Sequence, residues 1–137
     1  MLNGQIKIKE RVKDWEEAVR LSASSLLENN KIEQRYIDCM VNNIVENGPY
    51  MIILPGVAMP HSRPEDGVIA TGLSLLKLNE EVSFPEDNRV KLVFSLAAGD
   101  SDSHMDTIMS LCDLFEDETK IEALNNATSI EEILEII

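Results

Sequence analysis

The residues of this sequence best suited to chemistry surround its first histidine. His61 lies between Pro60 and Pro64, whose rings restrict the local backbone and stiffen the segment. Neutral imidazole is a nucleophile, and it can accept a phosphoryl group on a ring nitrogen. Arg63 follows two residues later, and its guanidinium suits phosphate oxygens. The segment therefore indicates phosphoryl chemistry at His61, with Arg63 close to the bound anion.

The second histidine, His104, stands at the predicted start of a helix that follows a strongly apolar strand. Ile108 and Leu111 come four and seven residues later, so the imidazole belongs to the inward side of that helix. Helix N-termini favour negative charge, and α/β sheets place ligands near strand ends. We therefore expect His61 and His104 to share one pocket, where His104 donates a hydrogen bond to phosphoryl oxygens.

Each candidate also has a purely structural interpretation. A lone histidine is more often a packing or surface residue than a catalyst, and a lone arginine is usually solvated. A metal site would need Asp66, Asp100 or Asp102 as a third ligand, and no tight spacing supports one. Cys39 and Cys112 are predicted to be small core residues on apolar helix faces. Residue types alone leave both interpretations of the histidines open.

The elements that must position these residues alternate along the chain. Apolar runs and alternating patterns predict strands at about residues 5–12, 50–54, 57–59, 68–78 and 90–98, of which 50–54 is expected to be buried. Helical spacing predicts helices that begin at about residues 14, 33, 103, 119 and 129, with Asp14 and Ser103 as N-caps and Gly48 at the end of the second helix. Interleaved strands and helices indicate the α/β class: a single domain over residues 1–137, with a central mixed sheet of about five strands flanked by helices on both faces.

Charge and composition restrict the class of partner. The 137 residues include 12 Lys and Arg against 25 Asp and Glu, a net charge of −13 that disfavours nucleic acid and anionic membranes and favours a basic protein partner. No apolar run approaches the ~20 residues that span a bilayer. The two cysteines lie outside any CxxC pair, and no signal peptide is visible, so we expect a cytoplasmic protein with reduced thiols.

Residues 48–68 carry a resemblance to a known family. They resemble the IIA component of the bacterial sugar phosphotransferase system, in the fructose–mannitol superfamily, and residues 60–68, PHSRPEDGV, look most like the ascorbate-type (L-ascorbate/pentitol) branch. The resemblance covers almost the whole chain. Its further parts are residues 12–18, Tyr36 with Met40, Phe84, the apolar strand 90–98, and His104 at the head of a helix.

The resemblance implies a phosphotransferase in which the phosphoryl group is carried by the protein, without a metal or an organic cofactor. His61 would accept the group from the phosphocarrier HPr and pass it to a cysteine of the IIB component. IIB would then phosphorylate a sugar that enters through the membrane IIC component. His104 would be the second, phosphate-contacting histidine, and an ascorbate-like sugar would be a property of the partners rather than of this chain.

One departure from the family pattern concerns the second helix. The mannitol and fructose branches carry an Arg-Glu pair shortly after the Tyr and Met of that helix, whereas Asn43 and Ile44 stand there in this sequence. The departure agrees with the ascorbate-like branch, and Arg63 is the candidate replacement for the missing arginine. The alternative function is that of a stand-alone regulatory IIA-like protein, whose phosphorylation state controls binding to another protein.

Overall fold

The computed structural model of the chain describes residues 5–99 and 105–137, and in them five strands form one mixed sheet. The strands are β1 (Ile6–Lys9), β2 (Ile52–Leu54), β3 (Gly56–Ala58), β4 (Gly72–Phe84) and β5 (Asn88–Ala97), in the spatial order β1-β4-β5-β3-β2. The pairs β1–β4 and β3–β5 are parallel, and β4–β5 and β2–β3 are antiparallel. Because β3 and β5 are parallel neighbours, their carboxyl ends lie at the same edge of the sheet.

Helices cover both faces of this sheet, as predicted. They are α1 (Trp15–Glu28), α2 (Gln34–Asn47), α3 (Met105–Glu116), α4 (Glu118–Asn126) and α5 (Ile130–Ile136). Buried side chains of α1 and α2 pack with Leu76 and Val93 in one core layer. Buried side chains of α3, α4 and α5 pack with Leu75 and Phe94 in the other. Each of these helices is too short or too polar to cross a lipid bilayer, within the part of the chain that the structure describes.

Helix ends follow the capping residues of the sequence. The Asp14 carboxylate accepts a hydrogen bond from Glu17 N at 2.9 Å, and the Glu17 carboxylate accepts one from Lys13 N at 2.8 Å. The predicted cap of α1 is therefore confirmed, although its returning bond reaches Lys13 rather than Asp14. Ser129 caps α5 in the same way. The predicted cap by Ser103 lies outside the described residues.

Three predictions about elements are wrong in detail. The apolar run before Pro55 is an edge strand with Ile53 exposed, rather than a buried strand, because β2 has a neighbour on one side only. Strand β4 begins at Gly72 and continues to Phe84, since it forms a long hairpin with β5. Cys39 is half-buried and Cys112 is exposed, so neither is a core residue.

Candidate functional site

The loop after β3 carries the first histidine, and backbone hydrogen bonds fix this loop on two sides. Met59 N donates to Met51 O at 2.8 Å, which ties the loop to the segment that leads into β2. Leu96 N donates to Pro60 O at 3.1 Å, which ties it to the end of β5. His61 therefore leaves the sheet at the carboxyl ends of two parallel strands, where α/β folds commonly place ligands.

One of the two ring nitrogens of His61 is hydrogen-bonded to the backbone. Its Nδ1 lies 2.8 Å from Met59 O. Because a carbonyl oxygen only accepts, this hydrogen bond requires the proton on Nδ1, and in the neutral imidazole the lone pair is then on Nε2. The rings of His61 and Tyr50 are arranged edge to face, with centroids 5.3 Å apart and an interplanar angle of 80°. Tyr50 Oη donates a hydrogen bond to His61 O at 2.7 Å. This arrangement allows the neutral imidazole to act as a nucleophile through Nε2.

Ser62, the next residue, is held through both its backbone and its side chain. Its backbone N donates to Tyr36 Oη at 2.9 Å. Its hydroxyl donates to the Asp66 carboxylate and accepts a hydrogen bond from Asn43 Nδ2 at 3.1 Å. The hydroxyl of Ser62 and the backbone N–H of Arg63 hold the pKa of Asp66 below its usual range. The position of the loop is therefore set by a helix on one side and by an ionised carboxylate on the other.

An open cleft of about 430 Å³ lies over these residues. It is lined by Asn43, Asn47, Tyr50, His61, Ser62 and Arg63. The Arg63 side chain is 76% exposed, and its Nε lies 3.5 Å from Glu65 and 3.6 Å from Asp66. These contacts are loose and solvated, so the guanidinium is free to turn towards an anion on His61. The cleft brings together one imidazole, one exposed guanidinium and several neutral hydrogen-bonding groups.

The segment that follows the site packs closely against the first turn of α2 at Gly67. Gly67 has φ +130, and a Cβ there would lie 3.2–3.3 Å from Arg35 and Tyr36. Its carbonyl oxygen accepts from Glu33 N at 2.8 Å, and Arg35 Nη1 donates to Glu65 O at 2.9 Å. Because the close approach leaves no room for a side chain, glycine is needed for α2 to hold the 64–67 turn.

Of the predicted site residues, the structure brings His61 and Arg63 to one cleft. His104 lies outside the described residues, so its role stays a prediction. Asn43, predicted to stand in place of an arginine, does border the cleft, where it binds Ser62. No group of three potential metal-binding side chains occurs within residues 5–99 and 105–137.

Two tyrosines of the site were not predicted from the sequence as site residues. Tyr36 fits the apolar stripe of α2, and Tyr50 begins an apolar run, so both patterns indicate packing. The available signal was chemical, because a buried tyrosine hydroxyl needs a hydrogen-bond partner. Asp66 was considered only as a metal ligand, whereas in the structure it binds Ser62 and the backbone of Arg63.

Comparison with known proteins gives one consistent result. The family described as "Phosphoenolpyruvate-dependent sugar phosphotransferase system, EIIA 2" matches residues 2–137. The chain is 43% identical over 133 residues to the mannitol-specific cryptic phosphotransferase enzyme IIA component of Escherichia coli, covering 96% of this chain and 90% of that protein. It is 35% identical over 138 residues to the ascorbate-specific PTS system EIIA component of Escherichia coli, covering 98% and 90%.

Solved structures agree with this result over nearly the whole fold. The solution structure of the mannitol-specific cryptic enzyme IIA of Escherichia coli superposes with a TM-score of 0.90 at 42% identity, covering 96% of this chain and 90% of that one. A complex of enzyme IIA and phosphorylated enzyme IIB of the Escherichia coli mannitol system gives a TM-score of 0.82 at 29% identity, covering 96% and 92%. TM-scores this high show that both relatives share the fold of this chain.

Proposed function

Because the chain belongs to the phosphoenolpyruvate-dependent sugar phosphotransferase system EIIA 2 family, we propose that His61 is the residue that carries its phosphoryl group. Family members are phosphotransferases of sugar phosphotransferase systems. The observation that carries the proposal is the 2.8 Å contact between His61 Nδ1 and Met59 O. In the neutral imidazole this contact leaves the lone pair on Nε2, on a residue that borders an open cleft, as a phosphoryl acceptor requires.

The first step is transfer from phospho-HPr. The Nε2 lone pair attacks phosphorus, a P–N bond forms, and the bond from phosphorus to the donor breaks with its electron pair left on the donor. The proton on Nδ1 stays in place. Its hydrogen bond to Met59 O stabilises the positive charge that develops on the ring as Nε2 bonds to phosphorus.

Charge neutralisation is assigned to Arg63 in this proposal. A phosphoryl group brings nearly two negative charges, and positioning with electrostatic stabilisation supplies most of the catalysis in phosphoryl transfer. Arg63 borders the same cleft, and its present contacts at 3.5 and 3.6 Å are weak enough to exchange for phosphoryl oxygens. His104 is proposed as a second donor to those oxygens.

The second step passes the group to a cysteine of the cognate IIB component. The thiolate attacks phosphorus, a P–S bond forms, and the P–N bond breaks with its electrons returned to Nε2. The solved complex of a related IIA with phosphorylated IIB supports a IIB partner for this chain. We further propose a cytoplasmic location, an indirect connection to a membrane IIC component, and an ascorbate-like sugar. Relatives named for ascorbate and for mannitol both resemble this chain.

The test is an intact-mass measurement of the protein after incubation with HPr, its upstream kinase and phosphoenolpyruvate at neutral pH. We expect one acid-labile phosphoryl group on the wild type and none on His61→Ala. His104→Ala is the comparison, and it should still gain the group, at a lower rate. No gain in the wild type while HPr itself is phosphorylated would overturn the proposal.

Addition of candidate IIB components to the phosphorylated protein then tests onward transfer. Loss of the phosphoryl group from His61, matched by its gain on a IIB cysteine, is expected of a transport component. A stable phosphoprotein that transfers to none of the IIB components of the same cell would contradict the transport role. It would favour the regulatory alternative, in which the phosphorylation state controls binding to another protein.

A further inference from the structure

A buried tyrosine on α2 connects the loop that carries His61 to the end of β5. Tyr36 has no exposed surface. Its Oη donates to Leu96 O at 2.7 Å, accepts a hydrogen bond from Ser62 N at 2.9 Å, and lies 3.2 Å from Ser62 O. Burial raises the pKa of Tyr36 to about 12, so the hydroxyl keeps its proton and remains a donor at neutral pH.

The contacts of Leu96 show what this tyrosine contributes. The amide of Leu96 donates to Pro60 O, on the residue before His61. The carbonyl of Leu96 accepts from Tyr36, which in turn accepts from the amide of Ser62, on the residue after His61. One residue of β5 thereby fixes the backbone on both sides of the histidine, directly on one side and through Tyr36 on the other.

We infer that Tyr36 is a positioning residue for phosphoryl transfer, which fixes Ser62 so that the Nδ1 proton of His61 stays hydrogen-bonded to Met59 O and the lone pair stays on Nε2. The inference rests on the proposed function of His61. Tyr36 lies beneath the loop and does not line the cleft, so it acts through the loop rather than on the phosphoryl group. Transfer is sensitive to such placement, because small displacements of a nucleophile reduce the rate strongly.

The hydroxyl, rather than the ring, carries this role. A phenylalanine at position 36 would fill the same core volume among the buried side chains of α1 and α2. It would leave Ser62 N and Leu96 O without this partner, and Leu96 is buried, so water does not readily replace it. Unpaired backbone groups are costly in such a place, and the loop would shift to satisfy them.

The variant that tests the inference is Tyr36→Phe, with Ser74→Ala as its matched control. Ser74 is also fully buried, and its hydroxyl donates to a backbone oxygen, that of Ser22, at 2.6 Å, away from the loop. We expect Tyr36→Phe to lower kcat for phosphoryl acceptance from phospho-HPr by at least about tenfold, with KM changed less than about twofold. Ser74→Ala should stay within about twofold of the wild type in both constants.

A second measurement reads the His61 ring without any transfer step. Nitrogen-15 NMR of the unphosphorylated proteins should show the proton on Nδ1 of His61 in the wild type and in Ser74→Ala. It should show a mixture of the two tautomers in Tyr36→Phe. Either of two results would overturn the inference. One is a Tyr36→Phe protein that transfers at the rate of Ser74→Ala, and the other is a Tyr36→Phe protein with a lower rate but unchanged ring signals.

The two measurements separate this inference from the proposed function. If the wild type accepts no phosphoryl group, the proposed function of His61 is contradicted, and so is the effect of Tyr36 on transfer. The ring signals still decide whether Tyr36 orients the imidazole. A wild type that accepts the group, beside a Tyr36→Phe protein that behaves as Ser74→Ala does, contradicts the inference alone.

Discussion

At the scale of single residues, the proposed reactivity of His61 depends on a neighbouring backbone oxygen. Met59 lies two residues before the histidine, and its carbonyl oxygen accepts a hydrogen bond from Nδ1–H of His61. This contact is local, because Met59 immediately precedes the loop between Pro60 and Pro64, whereas the position of the loop itself depends on Tyr36 and Leu96. The carbonyl partner also supplies partial negative charge beside the ring, which favours the transient cationic imidazole.

Arg63 provides the clearest prediction at this scale. Arg63→Ala should lower the rate of phosphoryl acceptance roughly tenfold, because an exposed guanidinium that meets the phosphoryl oxygens stabilises the transition state. Arg63→Lys should recover part of the loss, since an ammonium keeps the charge but not the planar fork. The rates are measured by quenched-flow mass spectrometry with phospho-HPr as donor.

The control for Arg63 is Arg89→Ala. Arg89 is similarly exposed and pairs with a carboxylate of its own loop, that of Asp87, but it lies at the other end of β5. Its loss changes the net charge equally without reaching the cleft. Equal rates for the Arg63 and Arg89 variants would show that only overall charge matters, and would remove Arg63 from the site.

At the scale of elements, Gly67 should be less replaceable than Gly56, a second glycine with a positive φ. Gly67 and Gly56 both have positive φ, but a Cβ at Gly67 meets Arg35 and Tyr36, whereas a Cβ at Gly56 meets open space. Gly67→Ala should therefore lower the free energy of unfolding by about 1 kcal/mol or more beyond the effect of Gly56→Ala. Urea titration of the two variants measures the difference, and equal losses would contradict it.

The sequence predicted those elements whose signals are local. The α1 cap at Asp14 and the end of α2 at Gly48 follow from residue chemistry within a few positions, and both hold in the structure. The extent of β4 and the exposure of β2 depend on which strands become neighbours. That order is a long-range property, so an apolar run alone did not distinguish an edge strand from a central one.

The site was predictable to the same extent. Two prolines, a histidine and an arginine within five positions indicated His61 and Arg63, and the structure places both at one cleft. The partners that orient them come from elsewhere: Asn43 and Tyr36 from α2, and Leu96 from β5. Which of these side chains reaches the loop depends on how α2 packs on the sheet, and no local pattern encodes that packing.

At the scale of the whole molecule, the net charge of −13 should govern how fast partners associate. An acidic protein attracts basic protein surfaces at long range. Salt screens this attraction between charges that are more than about 10 Å apart at about 0.1 M ionic strength. The association rate with HPr should fall several-fold between about 0.05 M and about 0.5 M salt, while dissociation changes less. Stopped-flow fluorescence measures both rates, and an association rate independent of salt would contradict the electrostatic account.

The most direct test of the central claim is to identify the atom that carries phosphate. The wild-type protein, labelled with nitrogen-15 in its histidines, is phosphorylated through HPr and examined by phosphorus and nitrogen NMR at neutral pH. We expect one phosphorus–nitrogen coupling, to Nε2 of His61, with the Nδ1 proton still hydrogen-bonded to Met59 O. A coupling to Nδ1 of His61, or to His104, would contradict it.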